Sequence, residues 1–233
     1  MAIITILQFD ELPLVDTTGN HSVVNNGVTI SSTNTKVGFG SSGVFNKGQG
    51  DHCHMAQTTD WDFGTNPYTI HCWVYLYTRS QYDGIWTTLN TGPNDGMGAS
   101  ISDGGGVRFY IAPSAGYVID SDQTVAIDDW THIAIVRDAT YIKLYINGTN
   151  PGDGTYTHSD GAAAAANTHG FRVGKFYADQ NVFPLDGEVD ELIVADTALW
   201  TEDFTPPSSP YSAPEDVGFT LGNVSLGNVI IGT

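Results

Sequence analysis

The sequence predicts an all-β protein, a two-sheet antiparallel β-sandwich, and three observations predict it. Helical periodicity is nearly absent along the 233 residues. Short runs rich in β-branched and aromatic residues alternate with period two, the pattern of strands with two distinct faces. The 27 Gly and 10 Pro are scattered without period, as tight turns between many short strands require.

The strand signals follow in chain order. In YTIHCWVYLYT (68–78), Ile70, Cys72, Val74 and Leu76 share one face while Thr69, His71, Trp73 and Tyr75 share the other. GIWTTLN (84–90), GVRFYIA (106–112) and GYVID (116–120) read in the same way. In WTHIAIVRDATYIKLYINGT (130–149), Ile133 and Ile135 oppose His132, Ala134 and Val136. After the break RDAT, Ile142, Leu144 and Ile146 oppose Tyr141, Lys143 and Tyr145. The pair reads as a hairpin, and Asn147-Gly148 is expected to supply a positive backbone angle to the turn that follows. FRVGKF (171–176) and GEVDELIVAD (187–196) complete a series of about twelve to fourteen strands. Several strands carry bulky residues on both faces, which predicts two stacked sheets with a partly covered outer face, a sandwich or jelly roll. The one Ala-rich run, Ala162 to Ala166, sits between turn formers and predicts at most one helical turn.

Charge narrows the partners. Asp plus Glu number 26 against 8 Lys plus Arg, a formal net charge of −18. Nucleic acid and anionic membrane surfaces are bound by Lys and Arg and are not expected partners. The start MAIITILQFDELP has no basic segment and meets acids within ten residues, so no signal peptide is expected. Cys53 and Cys72 are expected as two buried thiols rather than a bridge. FTPPSSPY (204–211) cannot lie inside a sheet and reads as a strap closing a domain over 1–212. Residues 213–233 form a Gly-rich apolar tail with the echo LGNVS, LGNVI, which reads either as a frayed tail or extra strand on its own domain or as a docking segment that adds to a neighbouring subunit's sheet edge.

Exposed aromatics beside Asp and Asn point to sugar, because pyranose rings stack on aromatic planes while polar groups fix their hydroxyls. QYDGIW (81–86), NTGPNDG (90–96) and FYADQN (176–181) have that mixture. The expected glycan-binding residues are Tyr82, Trp86, Asn94, Asp95, Tyr177 and Asp179, with Tyr110, Tyr117, Tyr156 and Phe176 as further loop aromatics. His52 and His54 share a strand face, and His71 on a neighbouring strand would make three imidazoles for a transition metal, though no fourth ligand has a recognisable spacing. GFGSSG (38–43) matches a dinucleotide fingerprint but lacks the helix that must follow it, so it reads as a turn.

The order of LQFDE (7–11), DTTGNHSV (16–23), FGSSGVFNKGQGDHCHM (39–55), DWDFGTNPYTIHCWVYL (60–76), the 130–149 hairpin, LDGEVDELIVADTALW (185–200) and the strap resembles the laminin-G-like, concanavalin A-like jelly-roll superfamily. More closely, it looks like the single-domain versions common in tailed-phage structural proteins. That resemblance implies a non-catalytic virion protein, a head decoration or tail-associated jelly roll. It would assemble in the host cytoplasm as a homo-oligomer on the particle and contact other virion proteins through the tail. A stand-alone carbohydrate-binding module is the alternative. The resemblance also implies a structural calcium, whose ligands here would be Asp10, Asp16, Gly19 and Asp190, since Ca²⁺ takes six to eight oxygens. Jelly-roll glycosidases carry paired carboxylates on one strand face. Glu188 and Asp190 match that spacing, but Glu191 points the other way, so no enzyme is expected.

Overall fold

The computed structural model describes residues 2–90, 95–112, 116–157, 169–177 and 183–212. Among them run β1 (Ile3–Leu7), β2 (Val23–Asn26), β3 (Thr29–Ser31), β4 (Ser42–Phe45), β5 (His52–Met55), β6 (Tyr68–Leu76), β7 (Tyr82–Thr87) and β8 (Met97–Ser102). They continue with β9 (Gly106–Ile111), β10 (Ile119–Thr124), β11 (Trp130–Arg137), β12 (Tyr141–Ile146), β13 (Thr155–Thr157), β14 (Phe171–Val173) and β15 (Gly187–Ala195). The described residues hold one 3₁₀ turn, Thr59–Trp61, whose Asp60 N–H donates to the Thr58 hydroxyl. The Ala162–Ala166 run and the tail 213–233 lie outside the described residues.

Two antiparallel sheets form the expected jelly-roll sandwich. The first has the order β13-β12-β11-β6-β15-β4-β3, with β1 also paired to β15. The second has the order β10-β9-β8-β7-β14-β5-β2. Alternation in β6, β11 and β12 sends Ile70, Cys72, Val74, Ile133, Ile135, Ile142 and Leu144 into the space between sheets. The second sheet answers with Met55, Trp86, Ile101, Phe109 and Phe171. Cys53 and Cys72 are buried free thiols of that core, and burial pushes the Cys53 thiol up to about 12.

The outer face of the first sheet is covered. Ala134, Val136 and Tyr145 pack under Ala198, Trp200 and Phe204 of the chain that follows β15. Trp200 and Phe204 stack with ring centroids 3.9 Å apart. Two hydrogen bonds from backbone N–H groups hold this strap down: Phe204 N–H donates to the Gly148 carbonyl at 2.8 Å and Tyr211 N–H to the side-chain Oε2 of Glu191 at 2.7 Å. Asn147 and Gly148 have φ of 50° and 79°, as the turn requires. Gly148 has a second reason to lack a side chain, because a Cβ there would meet the Phe204 carbonyl oxygen.

Candidate functional site

The outer face of the second sheet collects polar and aromatic groups. Tyr82 begins β7, and its register partner is Ser102 of β8. Arg108 of β9 pairs with Ser100 of β8 and Asp120 of β10. These residues therefore share one surface, since residues paired across a ladder point the same way. Tyr117 lies 6.2 Å from Tyr82 between ring centroids, and Phe183 meets Tyr82 edge-on at 4.6 Å. Tyr177 joins through Phe183, at 6.0 Å. The Arg108 guanidinium sits 5.4 Å from the Tyr82 centroid and 5.2 Å from that of Tyr117, an arrangement in which cation and ring quadrupole attract. Its Nε donates to Asp120 Oδ1 at 2.8 Å. The guanidinium pKa is raised, first by that hydrogen bond. A cleft of ≈ 280 Å³ opens beside it, lined by Ser102, Asp103, Arg108, Asp120, Ser121 and Asp122. Beneath, the Ser100 hydroxyl is buried with no partner among the described residues.

The glycan residues expected from sequence divide sharply. Tyr82 and Tyr177 are half-buried and belong to one aromatic cluster. Trp86 does not belong to it. It is 1 % exposed and stacks on Phe171 at 5.6 Å inside the core. The cause is a bulge between Gly84 and Trp86, which lets consecutive Ile85 and Trp86 both reach the core. Asp95 lies at the other end of the β7–β8 hairpin, where Asn90 N–H donates to it at 3.3 Å. Asn94 and Asp179 lie outside the described residues. Tyr117, expected as a further loop aromatic, joins the cluster, whereas Arg108 and Asp120 were missed; the alternation of GVRFYIA marks Arg108 as facing away from Val107 and Phe109, which was the available signal.

The expected calcium ligands do not fit one ion. Asp16 is buried, and its carboxylate accepts the Ile6, Thr18 and His21 N–H groups at 3.0, 3.1 and 3.0 Å. The Thr18 hydroxyl also donates to it at 2.8 Å. These donors occupy the lone pairs a cation would need. Gly19, with φ 75°, closes the same turn. Asp10 instead accepts Ser41 N–H at 2.8 Å. Asp190 is 1 % exposed and accepts Glu191 N–H at 2.7 Å. Burial above all, with Glu191, Asp10 and Glu188 nearby, pushes the Asp190 carboxyl up to about 8. Among the described residues no group of three or more His, Cys, Asp or Glu is placed to hold a metal. The three-imidazole arrangement fails for a topological reason: His52 and His54 are on β5 of the second sheet, while His71 is on β6 of the first.

Glu188 and Asp190 do share the outer face of the first sheet, opposite Tyr75 and Trp73. Glu188 is fully buried and accepts from Asn34 Nδ2 at 2.7 Å, Tyr77 Oη at 2.5 Å and the Ser42 hydroxyl. It anchors the segment before β4.

A family model described as the concanavalin A-like lectin/glucanases superfamily matches residues 47–203. The chain belongs to this superfamily. No curated protein sequence matches it. Among solved structures, this superfamily member is similar to domain 4 of AbnA, an extracellular GH43 arabinanase of Geobacillus stearothermophilus solved with arabinotriose. The TM-score is 0.62 at 21% identity, covering 85% of this chain and 94% of that one. The binding domain of Paraclostridial Mosquitocidal Protein 1 gives 0.65 at 17%, over 85% and 50%. The botulinum neurotoxin type C structure, described in terms of two ganglioside molecules, gives 0.62 at 14%, over 85% and 49%. The chain thus spans about half the length of these two toxin structures. At these identities the likeness establishes the fold.

Proposed function

We propose that the chain is a non-catalytic carbohydrate-binding jelly roll that uses the outer face of its second sheet. The observation that carries this is the Arg108 guanidinium over Tyr82 and Tyr117, paired with Asp120 and opening on a polar cleft. Ring faces for C–H stacking next to a fixed donor and acceptor for hydroxyls are what a sugar needs. The absence of catalysis is part of the proposal. Glu188 spends its oxygens on Asn34, Ser42 and Tyr77, whereas a glycosidase needs two carboxylates flanking an accessible bond.

The finer setting is also a proposal: a structural protein of a tailed-phage virion, decorating the head or the tail as an oligomer and docked through 213–233. The sequence resemblance and the apolar tail support it. A glycan array with and without calcium tests the binding, with arabinotriose included because a solved relative holds it. We expect one saccharide class to bind, and Tyr82→Ala with Tyr177→Ala to weaken it about tenfold, the size of one lost aromatic contact. Silence across the array ends the carbohydrate reading.

A further inference from the structure

On the opposite side of the molecule, the loop before β4 and the strap leave a gap over the first sheet. This cleft measures ≈ 400 Å³. Its walls include Lys36 on the loop side and Pro206 and Pro207 on the strap side, and Trp73, Asp129, Trp130 and Asn147 are also part of the lining. Loop and strap approach closely at one point, where a Cβ on Gly38 would meet the Ser208 carbonyl oxygen.

The lining is fixed before any ligand arrives. Trp130 Nε1 donates to the Asn34 carbonyl at 2.5 Å, and its ring lies 5.5 Å from Tyr75. Trp73 is held by His132 at 5.1 Å and Phe39 at 6.2 Å. Lys36 Nζ sits 4.4 Å from the Trp73 ring centroid and has no carboxylate within ion-pair distance among the described residues. Asn147 Oδ1 accepts the His132 N–H at 2.9 Å, which leaves the amide NH₂ as its free end. The Trp73 Nε1–H is buried with no acceptor among the described residues.

From this lining we infer a second binding site, one that takes a neutral, hydroxyl-rich saccharide ring between the loop and the strap. Trp130 offers a half-exposed ring face for the C–H side of the sugar. Lys36 and Asn147 donate to hydroxyls, and Asp129 accepts from them. Lys36 and Asp129 cancel in charge, and the chain carries −18 overall, so the field repels an anionic sugar. The site is on the other sheet from Tyr82 and stands independently of the function proposed above.

The five Trp residues make the test direct. The ¹H–¹⁵N indole signals of the full chain are followed during titration with maltotriose, cellotriose and arabinotriose as neutral probes and trigalacturonate as the acidic one. Trp73→Phe and Trp130→Phe assign the signals. The expected result is movement of the Trp73 and Trp130 signals with a neutral probe, weakened about tenfold by Lys36→Met, the effect of one charge-assisted hydrogen bond. It persists in the Tyr82→Ala, Tyr177→Ala variant, so loss of the first site leaves the second intact. No movement with any neutral probe at millimolar concentration overturns the site. Movement with trigalacturonate alone overturns the assigned ligand class.

Discussion

His71 and His132 face each other across β6 and β11, His132 Nε2 to His71 Nδ1 at 3.1 Å, and the outer nitrogen of each ring has no partner among the described residues. Trp200 closes over the pair, 5.0 Å from His71 and 5.9 Å from His132. Burial lowers the His71 pKa from 6.5 to about 3, and burial together with His71 lowers that of His132 well below 6.5. A depressed folded-state pKa means the unfolded chain takes up protons first on acidification. The pair's contribution is therefore fully present above pH 6.5 and is lost as pH falls from there toward 3. The urea midpoint should drop across this interval. His132→Gln, which keeps a partner for His71, should flatten the drop. An unchanged slope in that variant would remove the pair as its source.

Asp190 has the opposite sign. Its folded pKa of about 8 lies above the ordinary carboxyl value of 3.8, so the fold favours the protonated acid. Its stabilising share is complete below pH 3.8 and is lost as pH rises toward 8. Asp190→Asn keeps an acceptor for the Glu191 N–H and removes the ionisation. It should gain about 2 kcal/mol at pH 8, or about 4–8 °C in Tm for a chain of this size, and nothing at pH 3.5. A thermal melt of both proteins at the two pH values checks it, and equal shifts at both would show that ionisation is not the cause.

Much of this architecture was legible because period two alone assigns faces. Ile133 and Ile135 went to the core and Ala134 and Val136 to the strap side as the alternation requires. Trp86 was misplaced because a bulge breaks the period without a mark in the sequence: Gly84 permits it, but many strand glycines do not make one. The site was half legible. Tyr82 and Tyr177 are 95 positions apart in the chain, and their meeting through Phe183 is a long-range contact that period two does not encode. Asp16 read as a calcium ligand because an acidic turn looks the same whether its oxygens meet a cation or backbone N–H groups.

Gly148 should tolerate no side chain. Its φ of 79° and the Phe204 carbonyl oxygen at the position of a Cβ act together. Gly148→Ala should destabilise by about 2 kcal/mol or more and expose the Trp200–Phe204 stack. Fluorescence-detected urea unfolding, with limited proteolysis at the strap, reads both effects; an intact strap and an unchanged midpoint would contradict the close approach.

Calcium should leave the fold unaffected. With Asp16 engaged by N–H and O–H donors, the four residues Asp10, Asp16, Gly19 and Asp190 offer no common shell. A bound ion at a hundredfold its Kd would add about 2.7 kcal/mol, visible as about 5–10 °C in Tm. Melts in excess EDTA and in millimolar calcium should coincide, and separation by several degrees would restore a calcium site.

Trp86 and Tyr82 lie on the same strand and should fail in opposite ways. Trp86 is 1 % exposed between Phe109 and Phe171, so Trp86→Ala opens a cavity between the sheets and should remove about 3–5 kcal/mol of stability. Any loss of sugar binding in that variant would follow unfolding and recover where the folded fraction is restored. Tyr82 is half-buried at the cleft end of β7, beneath Arg108, so Tyr82→Ala should lose about 1 kcal/mol of stability or less while weakening saccharide binding. Calorimetric unfolding paired with binding isotherms on both variants separates the two behaviours. A Tyr82→Ala protein that binds normally would move the sugar off the second sheet, whatever happens at Trp86.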